Sequence, residues 1–264
     1  MVKSTLKPLM VLSDAHGFYH SLSAVLIHAG LIDPQLNWTG KNTILIQMGD
    51  IIDRGQDHRA IDLLLDLMQI QAKKSKGQVV RLLGNHELEI LRGNYGITTM
   101  PYWEILPFRE KLIKDILKDK VQAAWAGRGF LFTHAGCTNA LFNTLKKELP
   151  AKITPQNCAK LLNNILKESV KNNNYSHPIF YVSKSRGGFH NFAGIFWADL
   201  NELIASHNVC PFKQIIGHTM VPKIVFSEDK KIIGVDVGMP RVFEGTFEYL
   251  KFKGTKYKII KIEG

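Results

Sequence analysis

Short apolar runs alternate with helical stretches along the first half of the chain. The runs Leu9–Leu12, Thr43–Met48 and Val79–Leu83 predict buried strands. Between them, Ser21–Gly30 and the amphipathic stretch Ala60–Ala72 predict helices. This alternation of strands and helices is typical of an α/β domain.

The second half of the chain mixes helical segments with further short strands. Helical and loop-rich patterns at about 94–125 and 138–195 look like insertions. Apolar runs predict strands at 129–133, 214–216, 223–226 and 231–235. The pattern over 245–262 predicts a hairpin that turns at Gly254-Thr255. Because no repeat and no linker rich in Pro, Gly or Ser divides the chain, we predict a single domain over residues 1–264 with two insertions.

Each predicted strand of the first half runs directly into a polar cluster. The clusters are Ser13-Asp14-Ala15-His16-Gly17, Gly49-Asp50-Ile51-Ile52-Asp53-Arg54-Gly55 and Gly84-Asn85-His86-Glu87. Two later strands end in the same way, at His134-Ala135-Gly136 and Gly217-His218-Thr219. Since ligands of open α/β sheets bind outside the carboxyl ends of the strands, these clusters can converge on one site.

The strand-end side chains form a set of oxygen and nitrogen donors without a thiolate. Its members are Asp14, His16, Asp50, Asn85, His134 and His218. This chemistry suits divalent manganese, iron or zinc and contains too much imidazole for calcium. Six donors exceed the usual three protein ligands of a mononuclear catalytic zinc site, so two ions that share one carboxylate fit the set better. Two neighbouring ions activate a bridging water and hold the oxygens of a displacement at phosphorus, which indicates hydrolysis of a phosphate ester.

In this order and spacing, the motifs closely resemble those of the phosphoprotein phosphatase family within the calcineurin-like metallophosphoesterases. The similarity extends over about residues 9–240. It implies an α/β/β/α sandwich with helical insertions that form a cap. One further string, Gly234-Val235-Asp236-Val237-Gly238-Met239, is similar to the bacterial-type Shewanella-like subgroup.

The resemblance implies a role for each motif residue. A first divalent ion would be held by Asp14, His16 and Asp50. A second would be held by Asp50, Asn85, His134 and His218, so that Asp50 bridges the pair. Manganese is the expected metal, with iron and zinc as alternatives. His86 would be the general acid that protonates the leaving oxygen, and Asp53 would orient its other ring nitrogen.

Two arginines are candidates for binding the phosphate group. Arg54 would present its planar guanidinium to the phosphate oxygens, a bidentate match that lysine does not provide. Arg186, in Ser185-Arg186-Gly187-Gly188, is either the second phosphate-binding arginine that is usual in the family or an arginine of a surface loop. Trp197 and Asp199 are weaker pocket candidates, because Leu200 stands where the family has proline.

Together these residues predict a metal-dependent protein phosphatase that acts on phosphotyrosine, phosphoserine or phosphothreonine. The attacking group would be a hydroxide that bridges the metals, so no covalent intermediate is expected. The alternatives are a hydrolase of dinucleoside polyphosphates such as diadenosine tetraphosphate, and a non-catalytic phosphate-binding module. Glu87 and the intact Asp53-Arg54 pair favour phosphoprotein or phosphopeptide substrates, and the filled ligand and acid positions favour an active enzyme.

Charge and composition narrow the range of partners. The net charge of +11 divides into +1 over residues 1–100, +7 over 101–200 and +3 over 201–264. Because the basic residues are dispersed rather than arranged in blocks, we predict no nucleic-acid partner and assign the excess to the steering of acidic phosphopeptides or of an anionic partner surface. A hydrophobic fraction of 45% with 22% charged residues excludes a disordered chain. No apolar run reaches the roughly 20 residues that span a bilayer.

Cysteine usage and the start of the chain indicate the compartment. Cys137, Cys158 and Cys210 match no zinc motif and no disulfide framework, which favours reduced thiols. The first residues contain no long apolar run and no cleavage site of a signal peptide. We therefore predict a cytoplasmic monomer, while the sequence leaves open whether the protein is exported and which phosphoamino acid it prefers.

Overall fold

Eleven strands form two sheets in residues 6–204 and 210–263, which are the residues that the computed structural model describes. The strands are β1 (Leu9–Leu12), β2 (Ile44–Gln47), β3 (Gln78–Leu82), β4 (Val121–Gln122), β5 (Ala124–Gly127), β6 (Phe130–Thr133), β7 (Lys213–Ile216), β8 (Val225–Phe226), β9 (Ile232–Gly234), β10 (Phe247–Lys253) and β11 (Lys256–Ile262). The helices are α1 (Tyr19–His28), α2 (His58–Lys74), α3 (Asn85–Arg92), α4 (Tyr102–Leu117), α5 (Asn139–Leu145), α6 (Pro155–Asn172) and α7 (Leu200–Ile204).

The first sheet has the strand order β11-β10-β1-β2-β3-β4. Strands β1 to β4 are parallel, and β10 pairs antiparallel with β1. All four residues of β1 are buried, as are three of the four residues of β2 and four of the five of β3. Strands buried on both faces are apolar along nearly their whole length, which is why uninterrupted apolar runs marked them in the sequence.

The second sheet has the order β5-β6-β7-β9-β8, in which β6, β7 and β9 are parallel. It packs face to face on the first sheet. The ring of Phe130 on β6 meets the ring of Phe252 on β10 edge to face, with 5.9 Å between the ring centroids. The parallel strands of both sheets are therefore part of one sandwich.

Helices cover the outer faces of the two sheets. Helix α2 packs on β3 through buried residues such as Leu65 and Met68, and α6 packs on β5 and β6 through Leu162 and Leu166. The start of α6 is fixed locally, because the Thr154 hydroxyl accepts the Asn157 N–H at 3.1 Å. These layers confirm the predicted α/β/β/α sandwich. Helix α4, in the 94–125 segment, contacts both β4 of the first sheet and α6.

The prediction of a helical segment over 94–125 is wrong at its end. After α4 the chain forms β4, the last strand of the first sheet, and then β5, the first strand of the second. Where the chain crosses between the sheets, the side-chain oxygen of Asn163 accepts the N–H groups of Ala123 and Ala124 at 2.8 and 3.0 Å. These short strands owe their conformation to pairing and to a side chain of α6, not to a local pattern.

The predicted C-terminal hairpin is confirmed. Lys253 of β10 pairs with Lys256 of β11, so that the turn consists of Gly254-Thr255, with Gly254 at a φ of 64°. No helix within the described parts of the chain combines the length and apolar character that a bilayer crossing requires. Residues 1–5, on which part of the signal-peptide prediction depends, lie outside the described residues. The division into one domain stays a prediction.

Candidate active site

Five parallel strands of the two sheets bring the sequence-predicted metal ligands to a common edge. Asp50, after β2, has its Oδ2 atom 3.6 Å from His16 Nε2 and 3.4 Å from His134 Nε2. His134 Nε2 is in turn 2.9 Å from the Asn85 side-chain oxygen. The Asp14 carboxylate accepts the His218 N–H at 3.0 Å. The structure therefore places all six candidate ligands in one cluster.

Five site residues leave their strands in the left-handed backbone conformation, which non-glycine residues adopt rarely. They are His16, Asp50, Asp53, Arg54 and His218, with φ between 44° and 67°. Several backbone hydrogen bonds hold the first two loops together. Among them, the N–H groups of Ala15 and His16 both donate to the Asp50 carbonyl, at 2.9 and 2.7 Å. Strain of this kind persists only where the surroundings enforce it, and it is common at functional sites.

A close approach between backbones adds to this constraint. Gly84 lies against Asp50, and a Cβ atom at position 84 would be 2.0 Å from the Asp50 Oδ1 atom. Gly17 lies against Gly55 in the same manner, with 2.5 Å between a built Cβ atom and the Gly55 carbonyl carbon. The glycines of the motifs are thus required by contact between the strand-end loops.

Glu87 holds one of these loops in place. Its Oε1 atom accepts the N–H groups of Ile51 and Ile52 at 2.9 and 3.2 Å, and its Oε2 atom accepts those of Asp50 and Gly84 at 3.0 and 2.9 Å. The side chain is buried, and burial together with the Asp50 charge raises the pKa of Glu87 to about 7. Glu87 therefore supports the Asp50 loop, whereas the sequence analysis used it only to compare possible substrates.

We expect the substitution Glu87→Gln to destabilise the protein by about 2–4 kcal/mol, because the amide nitrogen cannot accept two of the four N–H groups. The measurement is urea unfolding at pH 8 in the presence of a chelator. Glu110→Gln, on the exposed surface of α4, is the control and should unfold like the unmodified protein. Equal stability of all three proteins would show that the Asp50 loop does not depend on Glu87.

The donor set fits divalent cations. The Nδ1 atoms of His16 and His134 lie 3.0 and 2.9 Å from the carbonyl oxygens of Ile52 and Met48. Donation at Nδ1 leaves the Nε2 lone pair of each ring directed at the centre. Buried atoms without a hydrogen-bond partner within the described chain include Asp14 Oδ1, His16 Nε2 and His218 Nε2. Buried acceptors without a donor are costly, and a cation satisfies them.

Asp50 is common to two groups of potential ligands. One group contains His16, Asp50 and His86, the other Asp50, His134 and His218, and within each group the ligand atoms lie within 4.8 Å of one another. Asp50 therefore lies between the two groups, the first of which contains His86 where Asp14 was expected, and its bridging role stays a prediction.

The charges in the cluster, together with burial, strongly shift the pKa values of its members. Burial raises the pKa of Asp14 well above its usual range, and the charges of Asp236 and Asp50 add to this effect. Burial alone would also raise the pKa of Asp50, but His134 and the other imidazoles hold it well below its usual range. Burial and the neighbouring His134 keep the pKa of His218 well below its ordinary value. His218 is therefore neutral near pH 7, as a metal ligand must be.

His86 pairs with a carboxylate through its Nδ1 atom. Its Nδ1 atom lies 2.5 Å from Asp53 Oδ2, and its Nε2 atom lies 4.0 Å from Asp50 Oδ2. The other carboxylate oxygen of Asp53 accepts the Thr98 hydroxyl at 2.6 Å and the Thr99 N–H at 2.8 Å. Burial would lower the pKa of His86, but Asp50 and Asp53 raise it to about 9. With 20% of its side chain exposed, His86 can meet a bound substrate.

The two candidate arginines are placed differently. Arg54 is exposed and forms no hydrogen bond or ion pair with the rest of the described chain, so its guanidinium can bind an anion. Arg186 contacts Asp199 at 2.6 Å and the Thr219 hydroxyl at 2.9 Å. Thr219 follows His218, and the ring of Trp197 lies 6.0 Å from that of His218. The structure thus brings Arg186, Asp199 and Trp197 together beside the His218 loop.

Sequence reasoning missed Thr98 and Thr99, which position Asp53 from a distance of about 45 residues along the chain. No local pattern marks them. It also assigned no role to Asp236, whose charge acts on Asp14. Asp236 follows β9 just as the predicted ligands follow their strands, so the rule that found those ligands also applies to it.

Comparison with known proteins gives relatives that include two Shewanella-like protein phosphatases. The chain is 32% identical over 91 residues to Shewanella-like protein phosphatase 2 of Arabidopsis thaliana, covering 34% of this chain and 23% of the relative. It is 38% identical over 79 residues to Shewanella-like protein phosphatase 1 of Plasmodium berghei, covering 30% and 22%. The matched segments thus span about a quarter of the length of these relatives.

Solved structures share the fold over nearly the whole chain. The cold-active protein-tyrosine phosphatase of a psychrophilic Shewanella species has a TM-score of 0.69 at 20% identity, with 98% of this chain and 81% of that chain covered. A protein serine/threonine phosphatase from Saccharomyces cerevisiae has a TM-score of 0.56 at 14% identity, with 100% and 82% covered. The family model described as calcineurin-like phosphoesterase matches residues 7–222. The chain therefore belongs to the calcineurin-like phosphoesterase family, whose members use divalent metals.

Proposed function

We propose that this chain is a metal-dependent protein phosphatase that hydrolyses phosphomonoesters of tyrosine, serine or threonine. The observation that carries the proposal is the His86–Asp53 pair, at 2.5 Å, beside the cluster of six candidate metal ligands. The names of the Shewanella-like relatives and the fold shared with protein phosphatases support it.

Two divalent ions, with manganese as the proposed metal, would be held by Asp14, His16, Asp50, Asn85, His134 and His218. When bound, they supply positive charge to the phosphoryl group and activate water for attack at phosphorus. Asp14 and Asp50 provide two negative charges against the four positive charges of such a pair, so the centre attracts an anionic substrate.

The residues around the cluster divide the remaining tasks. Arg54 binds the phosphate oxygens with its unpaired guanidinium and orients the group. His86 donates the proton on Nε2 to the leaving oxygen, so that the alcohol or phenol departs neutral. Asp53 keeps the proton of His86 on Nδ1 and fixes the plane of the ring. Thr98 and Thr99 fix Asp53 from the opposite side.

Kinetics on matched phosphotyrosine and phosphothreonine peptides test the proposal, with metal-stripped and manganese-loaded protein compared side by side. We expect at least one peptide to be hydrolysed by the loaded protein and neither by the stripped protein. Hydrolysis of diadenosine tetraphosphate with no activity on either peptide would overturn the proposal in favour of a dinucleoside polyphosphate hydrolase. Manganese binding without hydrolysis of any of these compounds would indicate a non-catalytic module.

We expect Arg54→Lys to lower kcat/KM for a phosphopeptide by about 10–100-fold, because an ammonium group cannot replace a bidentate contact worth about 1.5–3 kcal/mol. Initial rates over a range of peptide concentrations measure the effect. Arg59→Lys removes a guanidinium from an exposed position of α2 and serves as the matched control. If both variants lose the same small factor, Arg54 contributes only its charge.

A further inference from the structure

Asp236 occupies a strand-end position equivalent to that of a predicted ligand. Strands β7 and β9 are parallel neighbours, with Ile216 paired to Gly234. His218 and Asp236 each follow the paired residue of their strand at the same spacing. The Val221 N–H donates to the Asp236 carbonyl at 2.7 Å, which ties the loop of His218 to the Asp236 backbone. Asp236 therefore leaves the second sheet at the same edge and beside His218.

The carboxylate of Asp236 is buried and only half satisfied. The residue is 1% exposed, and its Oδ1 atom accepts the Gly238 N–H at 3.1 Å. Its Oδ2 atom has no hydrogen-bond partner among the described residues. A buried carboxylate oxygen without a donor is expensive, so its presence here points to a partner outside the polypeptide.

The electrostatic surroundings of Asp236 are those of the metal cluster. Charge–charge interactions link Asp236 with Asp14, Asp50, Arg54 and His134, so its carboxylate lies within electrostatic reach of the cluster. Three buried carboxylates therefore repel one another at this edge, and divalent cations relieve that repulsion.

We propose that Asp236 is a seventh side chain of the metal centre, a positioning residue whose carboxylate strengthens the binding of divalent metal through its charge and through a hydrogen bond that Oδ2 would accept from metal-associated water. The inference depends on the metal site of the proposed function. With Asp236, the centre has three negative charges instead of two to balance the four positive charges of two divalent ions. Residues behind the direct ligands commonly change metal affinity by about 10–100-fold when mutated.

The substitution Asp236→Asn removes the charge while leaving an oxygen that can accept the Gly238 N–H. Asp236→Ser, which is smaller and neutral, provides a second variant. Glu228→Gln is the control, since it removes one negative charge from an exposed surface position. Manganese titration by calorimetry and thermal unfolding with and without a chelator are the two measurements, and neither requires turnover.

We expect both Asp236 variants to bind manganese about 10–100-fold more weakly than the unmodified protein. In the presence of chelator, we expect Asp236→Asn to unfold at the same temperature or higher, because repulsion with Asp14 is relieved. An unchanged dissociation constant for manganese would overturn the inference. If the variants then also unfolded at a lower temperature in chelator, the role of Asp236 would be purely structural. If the unmodified protein binds no manganese, the proposed function itself fails, and this result is distinct from failure of the inference.

Discussion

We expect His86→Asn to leave the metal content unchanged and to lower kcat by about 10²–10⁴-fold on a phosphopeptide. Asparagine can still donate a hydrogen bond to Asp53, but it has no titratable proton to transfer to the leaving oxygen. Elemental analysis of the purified variant and kcat at saturating substrate give the two quantities. The expected outcome is full metal content with a slow reaction.

The result distinguishes two roles for the His86 imidazole, general acid and metal ligand. His86 Nε2 lies 4.0 Å from Asp50 Oδ2, and the ring belongs to one of the two groups of potential metal ligands. Loss of metal from the variant would make His86 a ligand and would contradict its role as the acid. His20→Asn changes an exposed histidine that matches no motif, and it should retain both metal and activity.

We expect Arg81→Met to lower the free energy of unfolding by about 3–5 kcal/mol. Arg81 lies on β3, is 3% exposed, and pairs with Asp62 at 2.5 Å and Asp66 at 2.9 Å on α2. Methionine fills a similar volume, but it leaves the buried Asp62 carboxylate with Lys111 as its remaining positively charged partner. Urea unfolding at pH 7 measures the loss, and Arg59→Met on the exposed face of α2 is the control.

The pH dependence provides a second check on this ion pair. Burial would raise the pKa of Asp62, but Arg81 and Lys111 outweigh it and hold the pKa below the ordinary 3.8. A carboxyl group with a lowered pKa stabilises the folded state above about pH 3.8, and this contribution is lost as the pH falls through the lower folded value. The difference between the two proteins should therefore narrow below about pH 4. A difference that stays constant with pH would mean that packing, not charge, accounts for the loss.

The parts of the fold that could be predicted from the sequence are those where burial determines residue type. Strands β1, β2 and β3 appeared as apolar runs because both of their faces are covered, and the polar residues after them marked one edge of the sheet. The family resemblance rested on these same strand ends. The family is established, whereas the roles assigned to His86, Arg54 and Arg186 stay predictions.

The parts that could not be predicted depend on contacts between distant residues. Strands β4 and β5 are two and four residues long, and Asn163, about 40 positions further on, holds the N–H groups between them. The support of Asp50 by Glu87 and of Asp53 by Thr98 spans similar distances. The pattern of residues along the sequence does not show which distant residues come into contact until the topology is known.

The left-handed residues at the strand ends have a consequence for thermal adaptation. Each non-glycine residue in this conformation costs about 1 kcal/mol or more, and glycine would relieve that cost. At His16, Asp50 and His218 glycine would also delete a donor atom of the cluster. Stabilising substitutions are thus available in the helices and at the sheet edges of this fold, whereas at these three positions a gain in heat resistance would remove a side chain of the proposed metal site.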